Sequence, residues 1–420
     1  MQQEETKTAS PCAILVAVDC GEGVYDAEAS LDELHELLQS AGYEPGPSVM
    51  QRRESPDKAT CIGSGRLEEI RQLCSTQEAD VVVFDRELSP TQLRNLEREL
   101  KIRIIDRTML ILEIFASRAQ SSEGKLQVEL AQLQYMLPRL SGQGTALSRI
   151  GGGSGTHTRG AGETQLETDR RHIRRRIESL KQKLAESNKR RQNLRHRRKK
   201  NNIPTVALVG YTNAGKSTLM NALTQAGVLA EDKLFATLDP TARSLRLPSG
   251  RHVVLIDTVG LVRNLPHHLV EAFHSTLEEA AQADLILNLC DASSPEASVH
   301  LSVTKDLLES LNCGETPILP VLNKCDLLTD PSHLPHVGKF VCVSARYGTG
   351  IEGLLDAIDQ SLPQIHRRMK LLIPFEKAGL AAHIRRNGSI LEEQYLPEGL
   401  LVRAMVDQQL LEDVRPFVVD

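Results

Sequence analysis

A segment near the middle of the chain has the residue types that hold a phosphate. Residues 210–217 read Gly-Tyr-Thr-Asn-Ala-Gly-Lys-Ser, which fits the pattern G-x-x-x-x-G-K-[ST]. The glycines let backbone N–H groups approach phosphate oxygens without a Cβ in the way. Lys216 can then pair with the β- and γ-phosphates of a nucleotide, and the Ser217 hydroxyl can ligate Mg²⁺.

The flanking residues place this segment between a strand and a helix. Residues 205–209 form an apolar run typical of a buried strand, and residues 218–223 begin a helical pattern. A turn from strand to helix points backbone N–H groups and the positive end of the helix dipole at one anion. The segment alone would also fit an ATPase or a chance match, so the identity of the base depends on other motifs.

Two motifs later in the chain select the base. Residues 323–326 read Asn-Lys-Cys-Asp after an apolar run, and the Asp326 carboxylate can accept both donors on one edge of guanine. Adenine presents an acceptor at that edge, which the carboxylate would repel. Residues 344–346 read Ser-Ala-Arg, and the Ala345 N–H can donate to guanine O6. The two motifs therefore predict GTP and GDP as ligands.

Two further motifs are predicted to contact Mg²⁺ and the γ-phosphate. Asp257 opens an Asp-Thr-Val-Gly segment after an apolar strand, and its carboxylate can hold Mg²⁺ through water. Gly260 ends that segment and offers its backbone N–H to the γ-phosphate. Thr237 lies between the phosphate loop and Asp257, where a switch threonine would complete the Mg²⁺ shell only when the γ-phosphate is present. Thr241 is the alternative for that role.

These motifs follow the order that is typical of a Ras-like GTP-binding domain. The residues predicted to contact the nucleotide are Gly210, Tyr211, Thr212, Asn213, Ala214, Gly215, Lys216, Ser217, Thr218, Phe235, Ala236, Thr237, Leu238, Asp239, Asp257, Thr258, Val259, Gly260, Asn323, Lys324, Cys325, Asp326, Ser344, Ala345 and Arg346. The predicted metal ligands are Ser217, Thr237 and Asp257. The residues predicted to act directly in GTP hydrolysis are Lys216, Thr237 and Gly260.

Composition and charge bound the remaining possibilities. The chain has 420 residues, which suggests roughly three domains. No run approaches the ~18 apolar residues of a membrane helix, and residues 1–10 lack the apolar core or arginine of a signal or transit peptide. We therefore expect a cytoplasmic protein that acts as a monomer. The eight cysteines include no Cys-x-x-Cys pair and are predicted to be reduced packing residues rather than zinc ligands or disulfides.

The charged residues are distributed very unevenly along the chain. Residues 170–200 contain fifteen Lys or Arg and two Glu, a balance of +13, so the rest of the chain carries −18 of a net −5. Such a charge dipole indicates an anionic partner. Because the chain has no Trp and only 3% aromatic residues, any contact with nucleic acid must rely on charge and backbone more than on base stacking.

Periodicity divides the chain further. Residues 13–106 alternate strand and helix signals, and Ser89 is predicted to cap a helix that has Pro90 at its first position. Leucines at spacings of 4 and 3 from Leu126 onwards, and a second series from Ile173, predict two paired helices. Between them residues 142–162 hold eight glycines. This loop is either a disordered linker or a tip that becomes ordered on a phosphate-rich surface.

The predicted fold is a multidomain α/β protein with four parts. These are an N-terminal, mostly parallel α/β domain at 1–115, an antiparallel helical hairpin at 116–200 with a glycine-rich loop at 141–165, a Ras-like P-loop GTPase domain at 201–363, and a small α+β C-terminal domain at 364–420.

The sequence resembles the HflX family, the ribosome-associated GTPases of the Obg–HflX group. The segments that carry the resemblance are 106–108, 114–116, 123–133, 160–171, 210–217 and 235–241. The resemblance implies that the protein binds the large ribosomal subunit and its RNA, with the loop at 142–162 reaching the RNA, and that it separates stalled ribosomes into subunits. It also raises ATP binding by the N-terminal domain, for which Gly-Ser-Gly at 63–65 is the one local hint.

Two residues bear on how GTP would be hydrolysed. Leu261 follows Gly260, where the family usually has Phe and many GTPases have a glutamine that orients water. An aliphatic side chain cannot hydrogen-bond water, which predicts slow intrinsic turnover, with water positioned by the switch backbone or by ribosome docking. Asn213 occupies a position that helps to bind K⁺ in some related GTPases; the alternative is that it only braces the loop.

Two functions remain open from the sequence. The first is a GTPase that dissociates or rescues stalled ribosomes. The second is a GTP-occupancy switch that acts as an RNA-binding or ribosome-assembly factor. Both predict GTP binding and an RNA interaction that weakens with salt. They differ in whether ribosomes separate when a non-hydrolysable GTP analogue is supplied.

Overall fold

The computed structural model describes most of the segments that carry the predicted motifs. The described residues are 10–21, 27–140, 162–200, 203–224, 234–235, 241–263, 280–310, 313, 316–328, 334, 338–363, 366–387, 389–407 and 410–419. Residues 141–161, which form most of the predicted glycine-rich loop, lie outside these ranges. In the described part of the chain, no helix is long and apolar enough to cross a membrane.

Four parallel strands form the sheet of the N-terminal region. They are β1 (Cys12–Asp19), β2 (Glu44–Arg52), β3 (Val81–Phe84) and β4 (Arg103–Asp106), in the order β2-β1-β3-β4. The helices are α1 (Ala27–Ala41), α2 (Ser64–Thr76), α3 (Pro90–Leu100) and α4 (Arg107–Arg118). Val81 and Val83 pack on the side of α1 and α4, whereas Val82 and Phe84 pack on the side of α2 and α3. Strand β3 is buried throughout because helices cover both faces.

Local sequence sets where two of these helices begin. Ser89 caps α3 as predicted: its Oγ accepts the Gln92 N–H at 3.2 Å, the Gln92 side chain accepts the Ser89 N–H at 2.9 Å, and Pro90 occupies the first turn. Asp106 caps α4 by accepting the Met109 N–H at 2.9 Å. Helix α4 runs to Arg118, past the division that we predicted at residue 115.

Two antiparallel helices follow. Helix α5 (Ser122–Met136) and helix α6 (Gly162–Lys200) pack through a leucine and isoleucine seam that includes Leu130, Ile177 and Leu180. Arg176 pairs with Glu129, with Nε and Oε1 2.7 Å apart, while Arg191, further along α6, reaches back to Glu123 near the start of α5. At 1.5 Å per residue the 39 residues of α6 extend roughly 58 Å, far beyond α5.

A six-stranded sheet forms the core of the central region. Its strands are β5 (Thr205–Gly210), β6 (Thr241–Arg246), β7 (His252–Asp257), β8 (Leu285–Asp291), β9 (Ile318–Asn323) and β10 (Val341–Cys342). The order is β10-β9-β8-β5-β7-β6, with only β6 antiparallel to its neighbour. The described helices are α7 (Lys216–Thr224), α8 (Ala297–Ser310) and α9 (Ile351–Ser361). The carboxyl ends of the parallel strands meet at one edge, which is where such sheets bind ligands.

The C-terminal region is a small sheet with one helix on it. The strands β11 (His366–Ile373), β12 (Ser389–Leu396) and β13 (Gly399–Asp407) are antiparallel in the order β11-β13-β12. Helix α10 (Ala378–Asn387) packs Ile384 against Leu371 and Val402, and the short helix α11 (Leu411–Val414) closes the same core with Val414.

The N-terminal region packs directly against the central region. The rings of Phe115 and Phe235 meet edge to face with centroids 4.6 Å apart, and the Leu234 N–H donates to Ser40 Oγ at 3.1 Å. Leu261 and Val262 belong to the same buried cluster as these aromatic rings. The contact therefore involves the two segments, around Phe235 and Leu261, that were predicted to respond to the γ-phosphate.

Candidate functional site

The phosphate-binding segment forms a tight loop between β5 and α7. Lys216 is buried and its Nζ donates to the backbone oxygens of Gly210 at 3.0 Å and Tyr211 at 2.8 Å. Gly215 has φ +89°, and a Cβ there would lie 2.2 Å from Asn323 Nδ2. Only glycine fits that position. Burial lowers the pKa of Lys216 to about 8, and Asp257 opposes this shift. An anion bound beside this amine would offset its desolvation.

A serine and an aspartate meet at the end of this loop. Ser217 Oγ lies 3.0 Å from Asp257 Oδ2, and Asp257 is fully buried at the carboxyl end of β7. Hydroxyl and carboxylate oxygens are the donors that Mg²⁺ prefers, so this pair fits a Mg²⁺ site beside the phosphates. Thr258 Oγ1 donates to Leu208 O at 2.7 Å and braces the strand end.

The segment after Asp257 lies on the phosphate loop. The Thr212 N–H donates to Leu261 O at 2.7 Å, and the Leu261 N–H donates to Gly210 O at 3.2 Å. A Cβ on Gly260 would lie 2.7 Å from Thr212 Cγ2 and 3.2 Å from Lys216 Nζ. The backbone of Gly260 thus passes beside the Lys216 amine, where the predicted contact with the γ-phosphate requires it.

The two motifs that are predicted to select the base adjoin the same loop. Asn323 Nδ2 donates to Ala214 O at 2.8 Å and Asn323 Oδ1 accepts the Ala345 N–H at 3.0 Å. Asp326 Oδ1 accepts the Ser344 hydroxyl at 2.6 Å. Asn323 therefore joins the phosphate loop to the segment of Ala345, so that both motifs predicted to select the base lie beside the loop. The Ala345 N–H, which we predicted to donate to guanine O6, is engaged by Asn323 in this structure.

The remaining predicted contact residues lie partly in a buried cluster and partly outside the described residues. Phe235 and Val259 are buried in the cluster between the N-terminal and central regions, so their side chains pack there. Residues 236–239, which include the predicted switch threonine Thr237, lie outside the described residues. Thr241, the alternative, starts β6 directly opposite Asp257 in the β6–β7 pair.

A polar network that the sequence did not reveal joins this site to α1. Glu33 of α1 accepts the Tyr211 hydroxyl at 2.8 and 2.9 Å, and its Oε2 lies 3.3 Å from Arg263 Nε. The same carboxylate lies 3.1 Å from an amino nitrogen of Arg107. The Arg263 N–H donates to the Tyr211 hydroxyl at 2.8 Å. One N-terminal carboxylate therefore holds both the phosphate loop and the segment after Gly260.

Tyr211 is also fixed from its other side. Its ring stacks on that of His300 in α8, with centroids 3.9 Å apart and planes 13° from parallel. Burial and the nearby Arg263 guanidinium lower the pKa of His300 to about 4, against opposing contributions from Glu33 and Asp291. His300 is therefore neutral at physiological pH.

The depressed pKa of His300 predicts a loss of stability in acid. Between its ordinary pKa of 6.5 and about 4, the unfolded chain binds the proton more readily, so the free energy of unfolding falls as pH decreases. The contribution of His300 to the slope cannot exceed about 1.4 kcal/mol per pH unit, because this side chain takes up a single proton. Denaturant unfolding from pH 7 to 4 measures it.

His300→Phe keeps an aromatic ring against Tyr211 without a titratable group. We expect this variant to lose the part of the acid dependence that belongs to His300. His35→Phe, at an exposed position on α1, is the matched control and should keep the wild-type profile. An identical pH profile for the wild-type protein and His300→Phe would contradict the assignment.

Comparisons with known proteins establish the class. The family described as GTP-binding GTPase N-terminal matches residues 28–116, GTP-binding GTPase Middle Region matches residues 118–198, and 50S ribosome-binding GTPase matches residues 205–324. Together with the geometry of the loop, these matches define a multidomain P-loop GTPase.

Curated relatives then define the family. The chain is 49% identical to GTPase HflX of Caldanaerobacter subterraneus subsp. tengcongensis, over 97% of this chain and 94% of that protein. It is 42% identical to GTPase HflX of Escherichia coli K12, over 93% of each. A solved GTP-binding protein from the archaeon Sulfolobus solfataricus, in complex with GDP, is 26% identical with a TM-score of 0.44, covering 84% of this chain and 98% of that one. The chain belongs to the GTPase HflX family and is a GTP hydrolase.

Proposed function

We propose that this GTPase binds the large ribosomal subunit through its helical hairpin and uses GTP to dissociate or rescue stalled ribosomes. The observation that carries the proposal is the basic helix α6, which ends at Lys200 and is followed by the phosphate-loop strand β5 at Thr205. A partner that binds α6 would therefore contact the chain only a few residues before the strand that leads into the nucleotide site.

The exposed surface of α6 is suited to RNA. Its apolar residues face α5. Within residues 167–193, the part of α6 whose side chains the structure describes, the other faces carry eight exposed basic side chains, which are Arg171, Arg174, Arg175, Arg176, Lys181, Lys183, Lys189 and Arg190. Arg176 is paired with Glu129 of α5. Dense, solvent-exposed positive charge on a long helix releases counterions from a phosphate backbone without reading its sequence.

The matched families support the same partner. Residues 205–324 match the family described as 50S ribosome-binding GTPase, and the resemblance to ribosome-associated GTPases extends through α5 and α6. We propose the division into domains at 1–115, 116–200, 201–363 and 364–420 as the framework of this activity; helix α4 continues past the first division to Arg118, and residues 162–165 of the predicted loop at 141–165 belong to α6.

We propose that the residues around the phosphate loop carry out GTP hydrolysis. Lys216 pairs with the β- and γ-phosphates, and Gly260 supplies a backbone N–H to the γ-phosphate. Ser217, and Asp257 through water, would hold Mg²⁺, and the ion would supply positive charge to the phosphates. Thr237 would join them only when the γ-phosphate is present, with Thr241 as the alternative.

Leu261 cannot orient the attacking water. Its side chain is 2% exposed and packs in the cluster between the N-terminal and central regions. We therefore assign the positioning of water either to the backbone of the segments around Thr237 and Gly260 or to docking on the ribosome. This predicts slow hydrolysis by the protein alone.

K⁺ is a further proposed cofactor. Asn213 is exposed at the tip of the phosphate loop with φ +59°, and a cation held beside its side chain would supply charge near the phosphates, as an arginine finger does. We expect faster GTP hydrolysis in KCl than in NaCl at equal ionic strength, and we expect Asn213→Ala to remove the difference. Equal rates in the two salts would contradict K⁺ binding and favour the alternative, that Asn213 only stabilises the conformation of the loop.

The experiment that tests the proposal is GTP hydrolysis with and without purified large ribosomal subunits, with ATP as the nucleotide control. We expect a large, GTP-specific stimulation. A variant with Arg171, Arg174 and Arg175 replaced by Gln should lose much of it and show a weaker dependence on salt. In the matched control, Gln replaces three exposed residues of the N-terminal region, Arg94, Arg98 and Lys101. This variant should respond to the large subunit and to salt as the wild type does.

The alternative is a GTP-occupancy switch that acts as an RNA-binding or ribosome-assembly factor. Full binding of GTP without stimulation by the large subunit would favour it. Separation of 70S particles, followed by sedimentation with GTP and with a non-hydrolysable analogue, distinguishes the two further. Removal of residues 142–162 should prevent separation if the rescue function is right.

A further inference from the structure

Two cysteines meet where the base-selecting motifs come together. Cys325 follows β9 within the Asn-Lys-Cys-Asp motif, and Cys342 ends β10 two residues before Ser344. In the β9–β10 pair Cys342 lies opposite Leu322, and Leu322 O accepts the Cys325 thiol at 3.1 Å. The Cys325 N–H donates to Val343 O at 3.2 Å. The backbones that carry the two thiols are thus in direct contact.

These backbone contacts bring Cys342 close enough to the Cys325 thiol to influence its pKa. Both are free cysteines, Cys342 exposed to solvent and Cys325 partly buried. Burial, reinforced by the neighbouring Cys342, raises the pKa of the Cys325 thiol to about 12. We therefore expect oxidation to start at the exposed Cys342, with Cys325, which stays largely protonated, reacting more slowly as the second sulfur.

We propose that Cys325 and Cys342 form a reversible disulfide that ties the two base-selecting motifs together and slows release of the guanine nucleotide. This inference rests on the proposed nucleotide site, because it assigns the consequence of the disulfide to the pocket that contains Asp326 and Ala345.

The oxidant is a peroxide. Hydrogen peroxide converts the Cys342 thiol to a sulfenic acid and releases one water. The Cys325 sulfur then attacks the Cys342 sulfur, the S–O bond breaks, and the hydroxide that leaves takes up the Cys325 proton as a second water. Two thiols and one peroxide give one disulfide and two waters, and a dithiol reductant reverses the link.

The position of the link explains its expected effect. Asp326 directly follows Cys325, and Asp326 Oδ1 already accepts the Ser344 hydroxyl at 2.6 Å. The Ala345 N–H donates to Asn323 Oδ1 at 3.0 Å. Release of the base requires these motifs to separate, and a disulfide between their neighbours opposes that separation. The Cys325 N–H to Val343 O contact at 3.2 Å already places the two backbones side by side, which a disulfide requires.

The test uses the full chain loaded with fluorescent mant-GDP. The protein is treated with hydrogen peroxide, unreacted thiols are blocked with N-ethylmaleimide, and digestion followed by mass spectrometry identifies a linked peptide containing Cys325 and Cys342. Release of mant-GDP into excess GDP is then timed with and without dithiothreitol. We expect release about tenfold slower from the linked protein, with full recovery on reduction.

Matched variants isolate the pair. Cys342→Ser removes an exposed thiol and should make release insensitive to peroxide, whereas Cys20→Ser, at another partly exposed cysteine outside the pocket, should keep the response. Oxidation of Cys342 by peroxide without a linked peptide overturns the proposal. A linked protein that releases mant-GDP as fast as the dithiothreitol-treated protein also overturns it.

A separate measurement distinguishes failure of the site from failure of the disulfide. If Asp326→Asn in the reduced protein does not change mant-GDP binding, the guanine site is assigned wrongly and the consequence proposed for the disulfide is lost with it. If Asp326→Asn weakens binding but linkage has no effect on release, only the disulfide proposal is wrong.

Discussion

Replacing Asp326 by Asn is expected to weaken GTP binding by about 3 kcal/mol, on the order of 100-fold, and to improve binding of xanthosine triphosphate. The Asp326 carboxylate accepts the Ser344 hydroxyl and lies three residues after Asn323, which is bonded to the phosphate loop. We propose that this carboxylate accepts two hydrogen bonds from guanine. An amide keeps one acceptor and places an N–H opposite the guanine amino group. Xanthine has an oxygen at that position, so the amide N–H gains a partner.

The measurement is competition of GTP and xanthosine triphosphate against a fluorescent nucleotide. Ser344→Ala is the matched control, because it removes the 2.6 Å hydrogen bond to Asp326 and keeps the carboxylate. It should lower affinity for GTP modestly and leave the preference for guanine intact. Unchanged GTP affinity in Asp326→Asn, with no gain for xanthosine triphosphate, would show that another group reads the base.

The parts of the site that sequence predicts are those built by contiguous residues at strand ends. The glycines, Lys216 and Ser217 all belong to one strand-turn-helix unit, so a short pattern determines their geometry. The same holds for the start of α3, where Ser89, Pro90 and Gln92 lie within four residues. Because the parallel strands end at one edge of the sheet, the sequence alone also predicts that Asp257 and Asn323 lie near the phosphate loop.

The contacts between regions could not be predicted in this way. Glu33 and Tyr211 are 178 residues apart in the chain, and Glu33 and Arg263 are 230 apart. No periodicity or motif connects such positions. In the sequence Glu33 is one acidic residue of an amphipathic helix, a pattern typical of a solvated face. The packing of α1 against the central region removes it from water.

Leu261 illustrates how packing adds to a motif. The sequence shows only that the residue is aliphatic where many GTPases have glutamine. The structure gives the residue a positive role, because its side chain lies in the same buried cluster as Phe115 and Phe235 while its backbone pairs with Gly210 and Thr212. A polar side chain at this position would have to enter an apolar interior, which costs free energy unless it is hydrogen-bonded.

Replacing Glu33 by Ala is expected to reduce the free energy of unfolding by about 3–5 kcal/mol. The side chains of Glu33, Arg107 and Arg263 are 8%, 2% and 2% exposed, so removing the carboxylate leaves two guanidinium groups buried with less compensating charge. Asp85 remains beside Arg107 and Glu296 beside Arg263, which limits the loss to the contribution that Glu33 makes.

Denaturant unfolding of the full chain measures this effect, and Asp32→Ala is the matched control. Asp32 is an exposed carboxylate on the same helix, so its removal should change stability by less than about 0.5 kcal/mol. Glu33→Gln keeps the size of the side chain and an acceptor for the Tyr211 hydroxyl, and it should lose less than Glu33→Ala. Equal stability of Glu33→Ala and Asp32→Ala would show that the buried network contributes nothing.

A double-mutant cycle then assigns the loss to the contact between the N-terminal and central regions. If Glu33 and Arg263 stabilise each other, the effects of Glu33→Ala and Arg263→Ala are not additive, and the coupling free energy should exceed about 0.5 kcal/mol. The same cycle with Arg107→Ala measures the coupling inside the N-terminal region. Strong coupling only to Arg107 would confine the network to that region. Strong coupling to Arg263 would show that α1 helps to hold the phosphate loop and the segment after Gly260 together.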